Sequence, residues 1–239
     1  MFGALGDIHG DFASIERILA RHPDIPFWVC VGDIADDAGR YVPFAAPVYW
    51  IKGNNENFDA IASGDLPATL HYIPNGHLIE IPVDGPFAKT QEPLGQPSAG
   101  WRCRVAGLGG TLAPSWYDTR ASELPHPRKG SARATDLADK RRHLVREEVE
   151  ACCGMRDVDV FLTHEAPRPY RAPGVRMDMG KTPINEVLAV MQPRLHLFGH
   201  HHRFSEAERQ GVRSVGLDLV SRSYLLVHAN TFDYEVVNQ

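Results

Sequence analysis

The sequence predicts an α/β fold built on a largely parallel sheet. Three observations lead there. Short apolar runs recur, each ending in glycine and one or more polar residues able to bind metal: Gly6-Asp7-Ile8-His9, Gly32-Asp33, and Gly53-Asn54. Helix-like segments follow these runs. The pattern returns late in the chain, at Thr163-His164 and at Gly199-His200-His201-His202. In sheets of this kind, polar residues at the carboxyl ends of the strands converge on one crevice.

The elements follow in order. The first residues form a short buried strand that stops at Gly6. A helix then starts near Asp11, with Phe12, Ile15, Ile18 and Leu19 on one face, and Pro23 and Pro26 end it. Phe27 to Val31 and Pro47 to Ile51 are the next strands. Asn57 is placed to cap a short helix. Leu78 to Val83 and Trp101 to Ala106 form a hairpin, and 85–100, rich in Pro, Gly, Gln and Ser, is its surface loop. Gly107 to Thr111 serves a tight turn with close backbone packing. Residues 114–130 form a second irregular surface loop, since Pro114, Pro125 and Pro127 break regular structure. Arg133 to Cys152 has helical composition. Val158 to Leu162 is a strand delivering His164. Thr182-Pro183 opens a further helix. Arg194 to Phe198 is the strand before the triple histidine, and Val212 to Leu217, Tyr224 to His228 and Phe232 to Val237 close the fold. No linker or repeat divides the chain, so 1–239 is expected to be a single domain.

Composition narrows the function classes. The chain has 239 residues, 43% hydrophobic and 23% charged, which suits a globular protein with a full core. A net charge of -5 gives no global attraction to nucleic acid or anionic membrane, so neither partner is favoured. The 4 cysteines contain no C-x-x-C pair, which points to reduced thiols rather than a disulfide framework. No secretory leader or membrane-spanning stretch is expected, and a cytoplasmic location follows as the expectation.

Asp7, His9, Asp33, Asn54, His164, His200 and His202 each lie just after a predicted strand. They supply the oxygen and imidazole donors of a two-metal site, in which the ions sit about 3.5–4 Å apart and share a bridging carboxylate. Without thiolates, this set suits Mn²⁺, Fe or Zn²⁺, with Mn²⁺ favoured.

These residues also carry a family resemblance. The order Gly-Asp-x-His, Gly-Asp-x-x-Asp, Gly-Asn-x-Glu, a strand-end His and Gly-His-x-His resembles the calcineurin-like metallophosphoesterase superfamily, from Gly6 to His202. The resemblance implies a four-layer α/β/β/α sandwich of two mixed β-sheets flanked by helices. It implies that Asp7, His9 and His202 hold one metal, that Asn54, His164 and His200 hold a second, and that Asp33 bridges them. The implied activity is hydrolysis of a phosphomonoester or phosphodiester, with a metal-bridging hydroxide attacking phosphorus. Asp33, Asn54 and Asn55 are the candidate catalytic residues, and a small phosphorylated compound is the expected substrate.

Two departures qualify the resemblance. The family block is usually Gly-Asn-His, and Asn55 stands where the histidine would be. That histidine is commonly assigned as the proton donor, and an amide donates hydrogen bonds but no proton near neutral pH. Three readings stay open: His126, His201 or His71 replaces it, the substrate has a good leaving group and needs no acid, or the enzyme is slow. In addition, the second block ends Asp36-Asp37 where protein phosphatases and dinucleoside tetraphosphatases of the superfamily carry Asp-Arg, which argues against those subfamilies.

The remaining candidates are weighed against structural roles. Asn55, Arg168 and Arg171 are candidate substrate-binding residues; Arg176 and Lys181 share the loop that follows His164. His201 is expected to point away from the metals. Lys140-Arg141-Arg142 with Arg146 reads as an exposed helix face paired to nearby glutamates. Trp116 and Tyr117 read as loop anchors more than as base-stacking residues. The rival readings are a non-catalytic binding module of the same fold and a nuclease or debranching-type phosphodiesterase.

Overall fold

Strand-forming residues in this chain alternate between two buried faces, and that alternation builds the layers. The computed structural model describes residues 1–83, 102–126 and 139–239. The expected loop 85–100, the expected strand's first residue Trp101 and the end of the expected loop 114–130 lie outside the described residues.

The first sheet runs β14-β13-β1-β2-β3-β4, with β1 (Phe2–Leu5), β2 (Trp28–Cys30), β3 (Val48–Trp50), β4 (Leu70–Tyr72), β13 (Ser223–Val227) and β14 (Tyr234–Asn238). The second runs β11-β12-β10-β9-β6-β5, with β5 (His77–Pro82), β6 (Arg102–Leu108), β9 (Val160–Thr163), β10 (Leu195–Phe198), β11 (Ser205–Arg209) and β12 (Val212–Gly216). Both sheets are mixed. β1 to β4 pair in parallel, while β13 and β14 close that sheet antiparallel. β6, β9, β10 and β12 pair in parallel between antiparallel edges. A small pair, β7 (Thr111–Leu112) and β8 (His143–Leu144), stands apart.

Period-two alternation assigns each side chain to a layer. Phe2, Ala4, Val29, Val31 and Ile51 from the first sheet meet Val160, Leu162, Leu195 and Leu197 from the second in the central core. The intervening residues Leu5, Trp28, Cys30 and Trp50 face outward onto α1 (Phe12–Arg21), beside α2 (Phe58–Ser63). On the other side, Ala106, Leu108 and Phe161 pack against α3 (Arg146–Cys153) and α4 (Thr182–Met191). The result is the α/β/β/α sandwich, with every parallel strand in a sheet ending at the same edge.

Local capping agrees with the sequence. The Asp11 carboxylate accepts from Ser14 N at 3.2 Å to start α1, and Asn57 Oδ1 accepts from Ala60 N at 3.1 Å to start α2. Cys30, Cys103, Cys152 and Cys153 are all free, the first three buried. Among the described residues, no helix is long and apolar enough to cross a membrane.

Some expectations are corrected. The helix expected from Arg133 begins only at Arg146, and residues 133–138 of that expected helix lie outside the described region. Lys140–Arg142 is a single 3-10 turn, not part of an exposed helix face. The buried Lys52 ammonium draws the Arg141 and His143 carbonyls onto itself at 2.9 and 3.1 Å, which holds them out of helical register. Arg141 pairs instead with Asp139 and, at 2.7 Å, with Asp59. Strands β4 and β11 and the short β7–β8 pair were not expected. β11, Ser-Glu-Ala-Glu-Arg, is a polar edge strand with no apolar run to mark it.

His196, wholly buried in β10, shows how a polar residue is accommodated outside the site. Thr163 Oγ1 donates its proton to the Glu165 carbonyl at 2.6 Å, so it accepts from His196 Nε2 at 2.9 Å. Nδ1 then accepts from Ser214 Oγ at 3.0 Å, and the ring is neutral. Burial pushes its pKa down to about 3. The unfolded chain therefore binds a proton below the ordinary value of 6.5 that the folded chain refuses, so this group's contribution to stability is complete above that pH and is lost as pH falls. Between about pH 7.5 and 5.5 the loss from this residue is expected to be about 1–2 kcal/mol. Urea unfolding at both pH values checks it: the loss should shrink by that amount in His196→Asn, and an unchanged loss would contradict the assignment.

Candidate metal centre

The strand ends of both sheets meet at one edge, and the expected ligands meet with them. Asp7 follows β1, Asp33 follows β2, Asn54 follows β3, His164 follows β9, and His200 and His202 follow β10. Asp7 and Asp33 are each 1% exposed, and His164 is fully buried. His9 and His202 are more open, at 31% and 38%, so the edge has one side facing solvent.

The donor atoms form two overlapping groups. Asp7, His9 and His202 offer atoms within 4.8 Å of one another, as do Asp7, Asp33 and His164. His202 Nε2 lies 3.0 Å from Asp7 Oδ2 and 3.0 Å from His9 Nε2. His164 Nε2 lies 3.0 Å from Asn54 Oδ1. Asp33 Oδ2 stands between the groups, 3.6 Å from His9 Nε2 and 3.5 Å from His164 Nε2. The His200 ring is beside that of His164, with centroids 4.9 Å apart.

This set fits divalent cations. His164 Nδ1 donates to the Val31 carbonyl at 2.8 Å, which leaves the Nε2 lone pair aimed at the Asn54 oxygen, another acceptor. Two facing lone pairs repel, and a cation between them removes the conflict. The Nε2 atoms of His9 and His202 also face each other, at 3.0 Å, where a cation would take a lone pair from each ring. Without a cation, protonation relieves the repulsion at His164: burial alone lowers its pKa, but the hydrogen bond and charge of Asp33 outweigh it and raise it to about 9. For Asp33, burial favours the neutral acid, yet His164, the Asn55 N–H and His9 hold its carboxyl well below the usual range. The His202 pKa is raised by its hydrogen bond to Asp7.

The backbone is bent to reach this geometry. His9, Asp33, His200 and His202 all have positive φ, between 48° and 68°, a region that non-glycine residues occupy at a cost. The loops also approach too closely for side chains. A Cβ on Gly53 would lie 1.9 Å from Asp33 Oδ1, and one on Gly199 would lie 2.2 Å from Asp7 Oδ1. Glycine in the Gly-Asn and Gly-His blocks is thus required by the neighbouring carboxylate.

Asn55 is drawn to Asp33. Its N–H donates to Oδ1 at 2.7 Å and its Nδ2 donates to Oδ2 at 3.3 Å. Glu56 is a residue whose role sequence reasoning missed. Its carboxylate accepts from Ile34 N at 3.1 Å, Ala35 N at 3.4 Å, Gly53 N at 3.3 Å and Tyr41 Oη at 2.9 Å, tying the loop of Asp33 to that of Asn54. Burial, then the Asp33 charge, pushes its pKa up to about 7. Its place at the end of the Gly-Asn-x-Glu block was the available signal.

The other candidates fall elsewhere. Arg168 Nε pairs with Asp178 at 2.9 Å, and Arg171 borders a cavity on the outer face of the second sheet. His201 turns away and stacks on Tyr170, with ring centroids 4.3 Å apart. His71 stacks on Tyr49 at 4.6 Å, and His126 bonds the Leu124 carbonyl beside it at 3.1 Å. Tyr117 packs on the outer core and lies under Arg146 at 4.7 Å, an anchor as expected.

Comparison with known proteins agrees with this fold. A family model described as calcineurin-like phosphoesterase matches residues 1–204. One solved crystal structure superposes with a TM-score of 0.63 at 12% identity, covering 99% of this chain and 98% of that one. A candidate 5'-nucleotidase from Staphylococcus aureus, solved with alpha-ketoglutarate, superposes with a TM-score of 0.52 at 14% identity, covering 99% of this chain and 52% of that one. At these identities the likeness is one of fold. No curated protein sequence matches.

The Gly53 contact generates a direct test. Gly53 does not have positive φ, so Gly53→Ala acts through its clash with Asp33 and forces that carboxylate to move. Mn²⁺ affinity should fall by roughly tenfold or more while the circular dichroism spectrum is retained. Unaltered affinity by calorimetry would show that Asp33 does not need its present position.

Proposed function

Because the chain belongs to the calcineurin-like phosphoesterase family, a family of metal-dependent hydrolases, we propose that it is a binuclear enzyme cleaving a phosphomonoester or phosphodiester. The observation that carries this reading is the position of Asp33 Oδ2, within 3.6 Å of His9 and 3.5 Å of His164, one imidazole from each ligand group.

In this reading Asp7, His9 and His202 would hold one ion, Asn54, His164 and His200 would hold the other, and Asp33 would serve both. Bound divalent ions supply charge neutralisation at the phosphate oxygens and activation of a water. The oxygen and imidazole donors, without thiolate, suit Mn²⁺, Fe or Zn²⁺, and Mn²⁺ is the ion tested first. The chain's own residues orient these events. The His200 N–H donates to both Asp7 oxygens, at 3.1 and 3.0 Å, and so fixes that carboxylate. Asn55 fixes Asp33 in the same manner. The open side at His9 and His202 is where a phosphate ester can approach.

Proton supply to the leaving group is the distinguishing feature. Asn55 has no proton to give, and His71, His126 and His201 are all engaged elsewhere. The preferred substrates are therefore esters whose leaving group departs without protonation, such as aryl phosphates.

Two measurements test this. With added Mn²⁺ the protein should hydrolyse aryl phosphomonoesters or phosphodiesters, and Asp33→Asn should lower turnover by roughly a hundredfold or more with the fold retained. Absence of both bound metal and turnover would favour a non-catalytic binding module. Asn55→His should raise turnover on alkyl esters more than on aryl esters; equal effects on both would sink the missing-acid explanation.

A further inference from the structure

Apart from the metal centre, the outer face of the second sheet holds a cavity of about 150 Å³. Its floor is Phe198 from β10, Ser214 from β12, and Ser205 and Arg209 from the edge strand β11. Its roof is the loop after His164, including Tyr170 and Arg171. Arg209 Nη2 closes the roof onto the floor by donating to the Pro169 carbonyl at 2.7 Å.

The polar groups around this space are mostly donors. Tyr170 is 7% exposed, and its buried Oη lies against Ser205 without a hydrogen bond of normal geometry. A buried hydroxyl with no partner carries a desolvation cost that a ligand can remove. Among the described residues, Arg209 donates only to backbone carbonyls, those of Pro169 and Glu208, and Arg171 has no ion-pair partner. This contrasts with Arg168 on the same loop, which is committed to Asp178. Glu206 also borders the cavity, but strand alternation places its side chain on the opposite face of β11 from Ser205 and Arg209, and its carboxylate interacts with Tyr234. Two guanidinium groups, a free phenol and a serine hydroxyl, with no carboxylate aimed in, are the chemistry of anion recognition.

We propose that this cavity is a binding site for a small tetrahedral oxyanion, distinct from the metal centre. The volume admits phosphate or sulfate. The site touches the metal loop indirectly: Tyr170 stacks on His201 at 4.3 Å with an interplanar angle of 20°, and His201 lies between His200 and His202. An anion held by Tyr170 and Arg171 would brace that loop from behind.

The test uses the full chain stripped of metal with a chelator, so that the buried carboxylates of the metal centre repel any anion. Calorimetric titration with inorganic phosphate, and separately with sulfate, should give saturable binding of one ion per chain, with acetate and chloride weaker. Tyr170→Phe keeps the ring stack and removes only the hydroxyl; Arg171→Gln alters the unpaired guanidinium. Each should weaken binding about fivefold or more. The proposal is overturned if the stripped protein shows no saturable binding, if acetate binds more tightly than phosphate, or if both variants bind phosphate as the unmodified chain does.

Discussion

Asp7 and Asp33 are carried almost wholly out of water at the edge where the two sheets meet. A buried carboxylate is tolerated only when other groups compensate its charge. Much of this architecture can be read as that compensation. His164, His9 and His202 face the carboxylates, and backbone N–H groups of Asn55 and His200 are aimed at them. The histidines satisfy the charge only partly, because the His164 lone pair faces an amide oxygen and the Nε2 atoms of His9 and His202 are turned to each other. Divalent cations would complete the balance in a way that protons cannot, since each cation can accept several lone pairs at once.

The cost of gathering these groups falls on the backbone. Positive φ at His9, Asp33, His200 and His202 would not persist in isolated loops. It persists here because each loop is the continuation of a parallel strand fixed on both sides, and because Glu56 and the close-packed glycines lock neighbouring loops together. The sandwich therefore supplies rigidity, and the loops supply chemistry. The same division explains the outer-face cavity, where the loop after His164 is pinned to an edge strand by Arg209 and yet leaves Tyr170 Oη unmatched.

Much of this was legible in the sequence. Apolar runs that stop at Gly-Asp, Gly-Asn or Gly-His mark both the parallel strands and the ligands, because one physical fact, the strand ending at the crevice, produces both signals. The structure brings Asp7, His9, Asp33, Asn54, His164, His200 and His202 to one edge. What stayed hidden had no local signal. β11 is polar because it is an edge. The start of α3 depends on Lys52, far earlier in the chain, capturing the Arg141 and His143 carbonyls. Glu56 is the exception, since it stands in the Gly-Asn-x-Glu block, yet its role as a tie shows only where Ile34, Ala35 and Tyr41 converge on it.

The central claim is that Asp33 joins two ion sites, one at Asp7, His9 and His202 and the other at Asn54, His164 and His200. Anomalous diffraction from crystals grown with Mn²⁺ tests it most directly. The account predicts two anomalous peaks, one in each group, both in contact with the Asp33 carboxylate. A single peak, or peaks that leave Asp33 untouched, would contradict it.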